Sequence, residues 1–361
     1  MKDFIRSCIN IPNSGNYMGL PVLIEGPPGG GKTAMITQVA NELGLPIETV
    51  ILSVREPADV VGLPVLKGDS VHIEVPLWCK RLMDAGKGIL FFDELACAPQ
   101  SVQAAALRII HDRAVGDVVL PPDVRIIAAT NNTEQAAGGW DIAAPLANRF
   151  VHYKWMGPKV HDWINWFLGE QKENNPDPKW NSSFAQAKGV ICSFLERNSS
   201  LLGPNVPEDP EQASRAWPSP RTWEMATRAL ALCQQTNQEY MTFLSGLVGE
   251  GGAIEFAQYD FYKDLPSPLD LIERRVTYKP DDRLDKTHSV LYSLASYAVS
   301  FQDLTPRVWK IIGEIGAKSG AKDVMVPTSL VLIGARLYHS DEAMEVLSGM
   351  EDLLEGVRLE W

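Results

Sequence analysis

The sequence predicts an α/β fold over its first 156 residues, a parallel β-sheet with helices packed on it, followed by an all-helical region. Three observations carry that reading. Between Leu20 and Trp155, short apolar runs alternate with helical stretches, the rhythm of strand–helix–strand units. One run, Ile89-Leu90-Phe91-Phe92, is apolar without alternation, as expected of a strand covered on both faces. After Trp155 the apolar residues recur at helical spacing instead. At 361 residues the chain is long enough for two domains or more.

In order, residues 20–24, 46–52, 89–92 and 124–129 read as strands, with 150–155 as a fifth. Residues 32–43 read as a helix that stops at Gly44, with Pro46 close behind. Within 65–75, two strand-like runs flank Gly68-Asp69 and predict a hairpin turning there or nearby. Val102, Ala105, Ala106, Ile109 and Ile110 recur at helical spacing, so 99–113 should be a helix packed on the sheet, with Pro99 in its first turn. Further helices are expected at 161–168, 184–197 and 222–235, separated by the loops QKENNPDPKWNSS and GPNVPEDPEQASRAWPSP. Gly246, Gly249, Gly251 and Gly252 mark another turn. From Leu265 onward four more amphipathic segments follow. One covers 285–301, with Val290, Leu291, Leu294, Tyr297 and Phe301 on one face. The resulting division is 1–156, 157–262 and 263–361.

Hydrophobic residues make up 45% of the chain and charged residues 22%, an ordinary globular balance. Lys plus Arg number 33 against 45 Asp plus Glu, a net charge of −12, whose field opposes nucleic-acid binding outside a local basic patch. No apolar run reaches membrane-helix length, and the first residues lack a signal peptide's apolar segment, so a soluble, cytoplasmic protein is expected. Cys8, Cys79, Cys97, Cys192 and Cys233 are odd in number and far apart, with no CxxC pair and no HExxH helix, which favours buried thiols over a metal site.

The segment Gly26-Pro27-Pro28-Gly29-Gly30-Gly31-Lys32-Thr33 fits G-x-x-x-x-G-K-[ST], a phosphate-binding loop, and it lies between an apolar run and a helix as that chemistry requires. Glycines let backbone N–H groups curl round phosphate oxygens without a Cβ in the way. The helix N-terminus adds the positive end of its dipole. Gly26, Gly29, Gly30, Gly31, Lys32, Thr33 and Ala34 are therefore the candidate nucleotide-binding residues, with Lys32 directed at the β- and γ-phosphates and the Thr33 hydroxyl at Mg²⁺. A second element is the buried strand ending in Asp93-Glu94, where two adjacent carboxylates are hard to explain by stability. Beside a triphosphate, Asp93 helps hold the metal and Glu94 orients and activates the attacking water. A third is the run Arg125 to Asn132, a strand ending in amides, which makes Asn131 a second positioner of that water, with Asn132 as the alternative.

GPPGGGKT, LFFDE and IIAATNN resemble, in that order, the Walker A, Walker B and sensor-1 motifs of the AAA+ ATPases, and within them of the MoxR-like branch. Pro145 to Phe150 resembles the arginine-finger segment, with Arg149 as the finger, and Pro218 to Thr222 resembles the start of the sensor-2 helix, with Arg221 as the sensor. The resemblance covers about residues 1–262 and is much weaker beyond. It implies a P-loop NTPase domain followed by an all-α lid, ATP and Mg²⁺ as cofactors, and a ring, usually a homo-hexamer, with ATP between subunits. Arg149 would then complete a neighbour's site, and Arg221 would act on its own subunit's nucleotide. MoxR-like proteins are often chaperone-like and act with a partner carrying a von Willebrand factor A domain.

The first reading is thus a Mg²⁺-dependent ATPase that remodels or activates a protein partner. A nucleic-acid-directed motor is the alternative on the same fold, opposed by the acidic balance and the absence of a Lys/Arg run. A nucleotide-dependent switch with little turnover is opposed by Lys32, Asp93, Glu94 and Arg149 all being present. No NKxD-type segment supports a GTPase. The 65–75 hairpin is the candidate substrate contact, or else a stabilising excursion of the domain.

Overall fold

The computed structural model describes residues 1–13, 17–131, 141–203, 206–236, 239–259, 264–320 and 322–354, and the chain forms two units, Met1–Gly157 and Pro158–Trp361. In chain order the first unit runs α1 (Lys2–Asn10), β1 (Val22–Glu25), α2 (Lys32–Glu42), β2 (Ile47–Ile51), α3 (Pro57–Val61), β3 (Leu63–Lys67), β4 (Ser70–Glu74), α4 (Leu77–Ala85) and β5 (Lys87–Asp93). It continues with α5 (Gln100–Asp112), β6 (Ala114–Val115), β7 (Val118–Val119), β8 (Asp123–Thr130), α6 (Ala144–Ala147) and β9 (Val151–Lys154). The five predicted runs become one parallel sheet of order β2-β5-β8-β1-β9.

Ile89, Leu90, Phe91 and Phe92 of β5 are all fully buried, because their alternate side chains enter two cores. Leu90 and Phe92 join Val102, Ala106 and Ile109 of α5 on one face; Ile89 and Phe91 join Ile36 and Val39 of α2 and Ile5 and Ile9 of α1 on the other. The N-terminal helix α1 therefore completes the second core, although its pattern did not single it out. Pro99 stands one place earlier than expected: it is the N-cap of α5, not part of its first turn. The hairpin forms as predicted, with Lys67 opposite Ser70 across Gly68-Asp69.

The second unit is helical: α7 (Val160–Gly169), α8 (Pro178–Arg197), α9 (Pro210–Ala213), α10 (Pro220–Thr236), α11 (Met241–Ala257), α12 (Pro268–Ile272), α13 (Leu284–Ser300), α14 (Thr305–Ser319), α15 (Val326–Gly334) and α16 (Asp341–Ser348). Three expectations need correction. Helix α8 starts at Pro178, six residues before the predicted Phe184, because Asp177 caps it by accepting from Lys179 N and Pro178 fits the first helical position. The glycine cluster is not a turn: Gly246, Gly249, Gly251 and Gly252 lie within α11, which only Gly249 interrupts, at φ 75°. Helix α13 is buried on all sides from Ser289 to Val299 instead of on one face. Its serines pack against α8, where a Cβ on Gly189 would come within 2.2 Å of the Ser289 carbonyl. One hydrophobic core runs through this unit from Trp163 to Leu354. Among the described residues no helix is long and apolar enough to cross a membrane, and no group of three or more His, Cys, Asp or Glu is placed to hold a metal ion.

Candidate nucleotide site

The phosphate-loop sequence begins where β1 ends, because Gly26 N donates to the Thr130 carbonyl and leaves no room for a side chain: a Cβ there would lie 2.3 Å from the Trp155 carbonyl oxygen. The loop ends at Gly31, the N-cap of α2, held at φ 82° and ψ 17°, a left-handed conformation that favours glycine. Lys32 is nearly buried. Its ammonium donates to the carbonyls of Gly26 (2.7 Å) and Pro27 (2.9 Å) and to Asn131 Oδ1 (2.9 Å). The loop lysine thus folds back over its own loop and ties it to the end of β8.

The carboxylates arrive from β5, beside β8 in the sheet. Thr33 Oγ1 donates to Asp93 Oδ2 at 3.1 Å, and Asp93 Oδ1 accepts from the Glu94 amide at 2.9 Å. Glu94 has φ 58° and ψ 40°, a left-handed conformation that costs a non-glycine residue about 1–2 kcal/mol. That strain sits on the residue assigned the attacking water, as is common where surrounding structure imposes a geometry for chemistry. Ser53, in the turn after β2, donates its hydroxyl to Glu94 Oε2. Thr130 Oγ1 accepts from Ala96 N and so joins β8 to the turn after Glu94. Burial, with the charges of Glu94 and Asp93 beside it, pushes the Cys97 thiol up and keeps it protonated.

The structure therefore brings together Gly26, Gly29, Gly30, Gly31, Lys32, Thr33, Asp93, Glu94 and Asn131 at the C-terminal edge of a parallel sheet, with Ala34 exposed in the first turn of α2. The alternative residue Asn132 lies outside the described residues. Arg149 is not part of the network among the described residues: its Nη1 donates to the Pro145 carbonyl at 2.9 Å, and its Nε is buried with no hydrogen-bond partner among them. Arg221 belongs to the second unit and is exposed in the first turn of α10, where Ser219 Oγ accepts from Thr222 N.

Sequence reasoning missed Ser53 and Trp155. The Trp155 indole donates to the Gly30 carbonyl at 2.6 Å, and its backbone amide donates to Glu25 O at 2.7 Å. One signal was available for Ser53, a lone hydroxyl directly after a strand that the fold sets beside β5.

Residues 21–150 match the AAA domain of the dynein-related subfamily. Two curated relatives each match about a third of the chain. Protein NorQ of Paracoccus denitrificans is 33% identical over 127 residues, which is 35% of this chain and 43% of NorQ. The human ATPase family gene 2 protein homolog B is 29% identical over 146 residues, 37% of this chain and 18% of that protein. The chain thus spans less than half the length of either. Among solved structures, the Thermotoga maritima RuvB Holliday junction branch migration motor matches at 14% identity and a TM-score of 0.39, covering 83% of this chain and 80% of that one. Residues 21–150 are accordingly an AAA-type P-loop ATPase domain, and a helical region follows it.

Proposed function

We propose that this protein is a Mg²⁺-dependent ATPase of MoxR type that remodels or activates a partner protein. The observation that carries the reading is the convergence of Lys32, Thr33, Asp93, Glu94 and Asn131 on one edge of the sheet. The Thr33 hydroxyl and the Asp93 carboxylate, 3.1 Å apart, form the hard oxygen donor set that Mg²⁺ takes, so the residues fit the ion. When bound, Mg²⁺ neutralises charge on the phosphate oxygens. The loop amides and Lys32 hold the β- and γ-phosphates, Glu94 accepts a proton from the attacking water, and Asn131 orients that water. Arg149, whose Nε has no partner among the described residues, serves a neighbouring copy's site in a homo-hexameric ring, and Arg221 serves its own copy's nucleotide. Residues 157–262 are the lid and 263–361 its extension.

The hairpin supports a protein partner over DNA or RNA, and the MoxR-type resemblance points to one with a von Willebrand factor A domain. At its tip Leu66 and Val71 face each other across the strands, 75% and 65% exposed. Its cation Lys67 is ion-paired with Glu74, whose carboxyl the ammonium groups of Lys80 and Lys67 hold down at about 2. A surface built to neutralise phosphates would gather cations instead. In an ATPase assay across a salt series, DNA or RNA should leave turnover unchanged, while a cognate protein changes it severalfold. Replacing residues 67–72 by a Gly-Ser turn should remove the partner's effect and spare basal turnover. Strong stimulation by DNA that fades steeply with salt would favour the motor.

A further inference from the structure

We infer that Trp155 is a positioning residue for the nucleotide phosphates, acting through the Gly30–Gly31 peptide; the inference rests on the nucleotide reading of the loop. Trp155 immediately follows β9, is 9% exposed, and holds the loop at two points. At the start, its backbone amide donates to Glu25 O, and its carbonyl fills the space beside Gly26. Within the bend, its indole N–H donates to the Gly30 carbonyl at 2.6 Å, in a buried contact across 125 residues of sequence.

The second contact fixes more than distance. A trans peptide is planar, with its C=O and N–H pointing in opposite directions. Fixing the Gly30 carbonyl on the indole therefore aims the Gly31 N–H away from Trp155. Glycines at 29, 30 and 31 otherwise leave this stretch free to rotate, and Gly29 and Gly31 both have positive φ, 72° and 82°. A nest of amides binds an anion only while successive N–H groups converge. One rotated peptide would put a carbonyl oxygen where an amide is needed. The indole selects the converging arrangement before any phosphate arrives, and so lowers the ordering cost of binding.

Trp155→Phe keeps an aromatic ring directly after β9 and removes the donor together with the indole's second ring. Losing one hydrogen bond that pre-orders the loop should raise the Kd of Mg²⁺–ATP and Mg²⁺–ADP about three- to tenfold. Turnover at saturating ATP should stay within about twofold, since Glu94, Asn131 and Asp93 are untouched. A purely structural role would lower the unfolding midpoint of the nucleotide-free protein and leave Kd alone. Trp155→Leu, which likewise has no donor, is the second variant should the phenylalanine not pack, with the same rise in Kd expected. In protein labelled with 5-fluorotryptophan, the ¹⁹F resonance that disappears in either variant should move when Mg²⁺–ADP is added to the wild type. Wild-type binding with unchanged Kd in a folded variant overturns this inference alone, as does a Trp155 resonance indifferent to nucleotide. Failure of the wild type to bind nucleotide overturns the nucleotide reading with it.

Discussion

Each unit buries a lysine, and the two are buried to different ends. Lys32 is 8% exposed and Lys188 is not exposed at all; each donates to two main-chain carbonyls. Lys32 does so at the mouth of a glycine loop, with a third bond to Asn131 and a strained Glu94 at the end of the neighbouring strand. Lys188 does so between the rings of Phe167 and Phe184, donating to Phe167 O and Gln171 O at and beyond the end of α7. Enclosure pushes its ammonium down to about 8. Burial of charge alone does not mark a functional site. What distinguishes the first lysine is its company: carboxylates at the end of β5, a glycine-rich loop, and a residue held against its conformational preference.

The two lysines part most sharply on substitution. Lys32→Ala should abolish measurable nucleotide binding, by calorimetry or fluorescent-nucleotide titration, besides the stability lost where its own acceptors are left without a donor. Lys188→Met should leave nucleotide affinity intact and lower only stability, by about 2 kcal/mol, because two carbonyls lose their donor. The pH dependence separates them further. Between about pH 8 and the ordinary lysine value of 10.5, the unfolded chain keeps the Lys188 proton that the folded chain has released. Stability therefore rises with pH across that window, by roughly 1.4 kcal/mol for each unit of displacement, and the rise should be missing from Lys188→Met in denaturant titrations. A swap of these outcomes would void the distinction. A smaller effect should follow from Ser53→Ala. Its hydroxyl occupies an oxygen of the Glu94 carboxylate, so removing it should raise basal turnover about two- to fivefold, the scale of one hydrogen bond.

The sheet and the loop were legible because their signals are local. An apolar run such as Ile89–Phe92 declares a covered strand within four residues, and the loop carries its glycines, lysine and threonine in eight. The helical unit was less so. Asp177-Pro178 reads as a Pro-rich loop until its cap bond is seen, and four glycines read as a turn although Val248, Ala253 and Phe256 bury α11 in the core. Helix α13 looked one-sided because its buried serines are small rather than apolar; they fit where α8 approaches at Gly189. The contacts that shape the site, Ser53 to Glu94 and Trp155 to Gly30, span 41 and 125 residues and carry no local pattern. They exist only because the strand order brings β2 beside β5 and β9 beside β1.

We propose that Glu94 activates water for hydrolysis at a nucleotide held by Lys32 and its loop. The direct measurement is steady-state ATP turnover of wild type and Glu94→Gln with excess Mg²⁺–ATP, alongside the Kd of each for the nucleotide. The variant should bind comparably and turn over at least about tenfold more slowly, about 1.4 kcal/mol in the barrier. Equal turnover by the two proteins would contradict it.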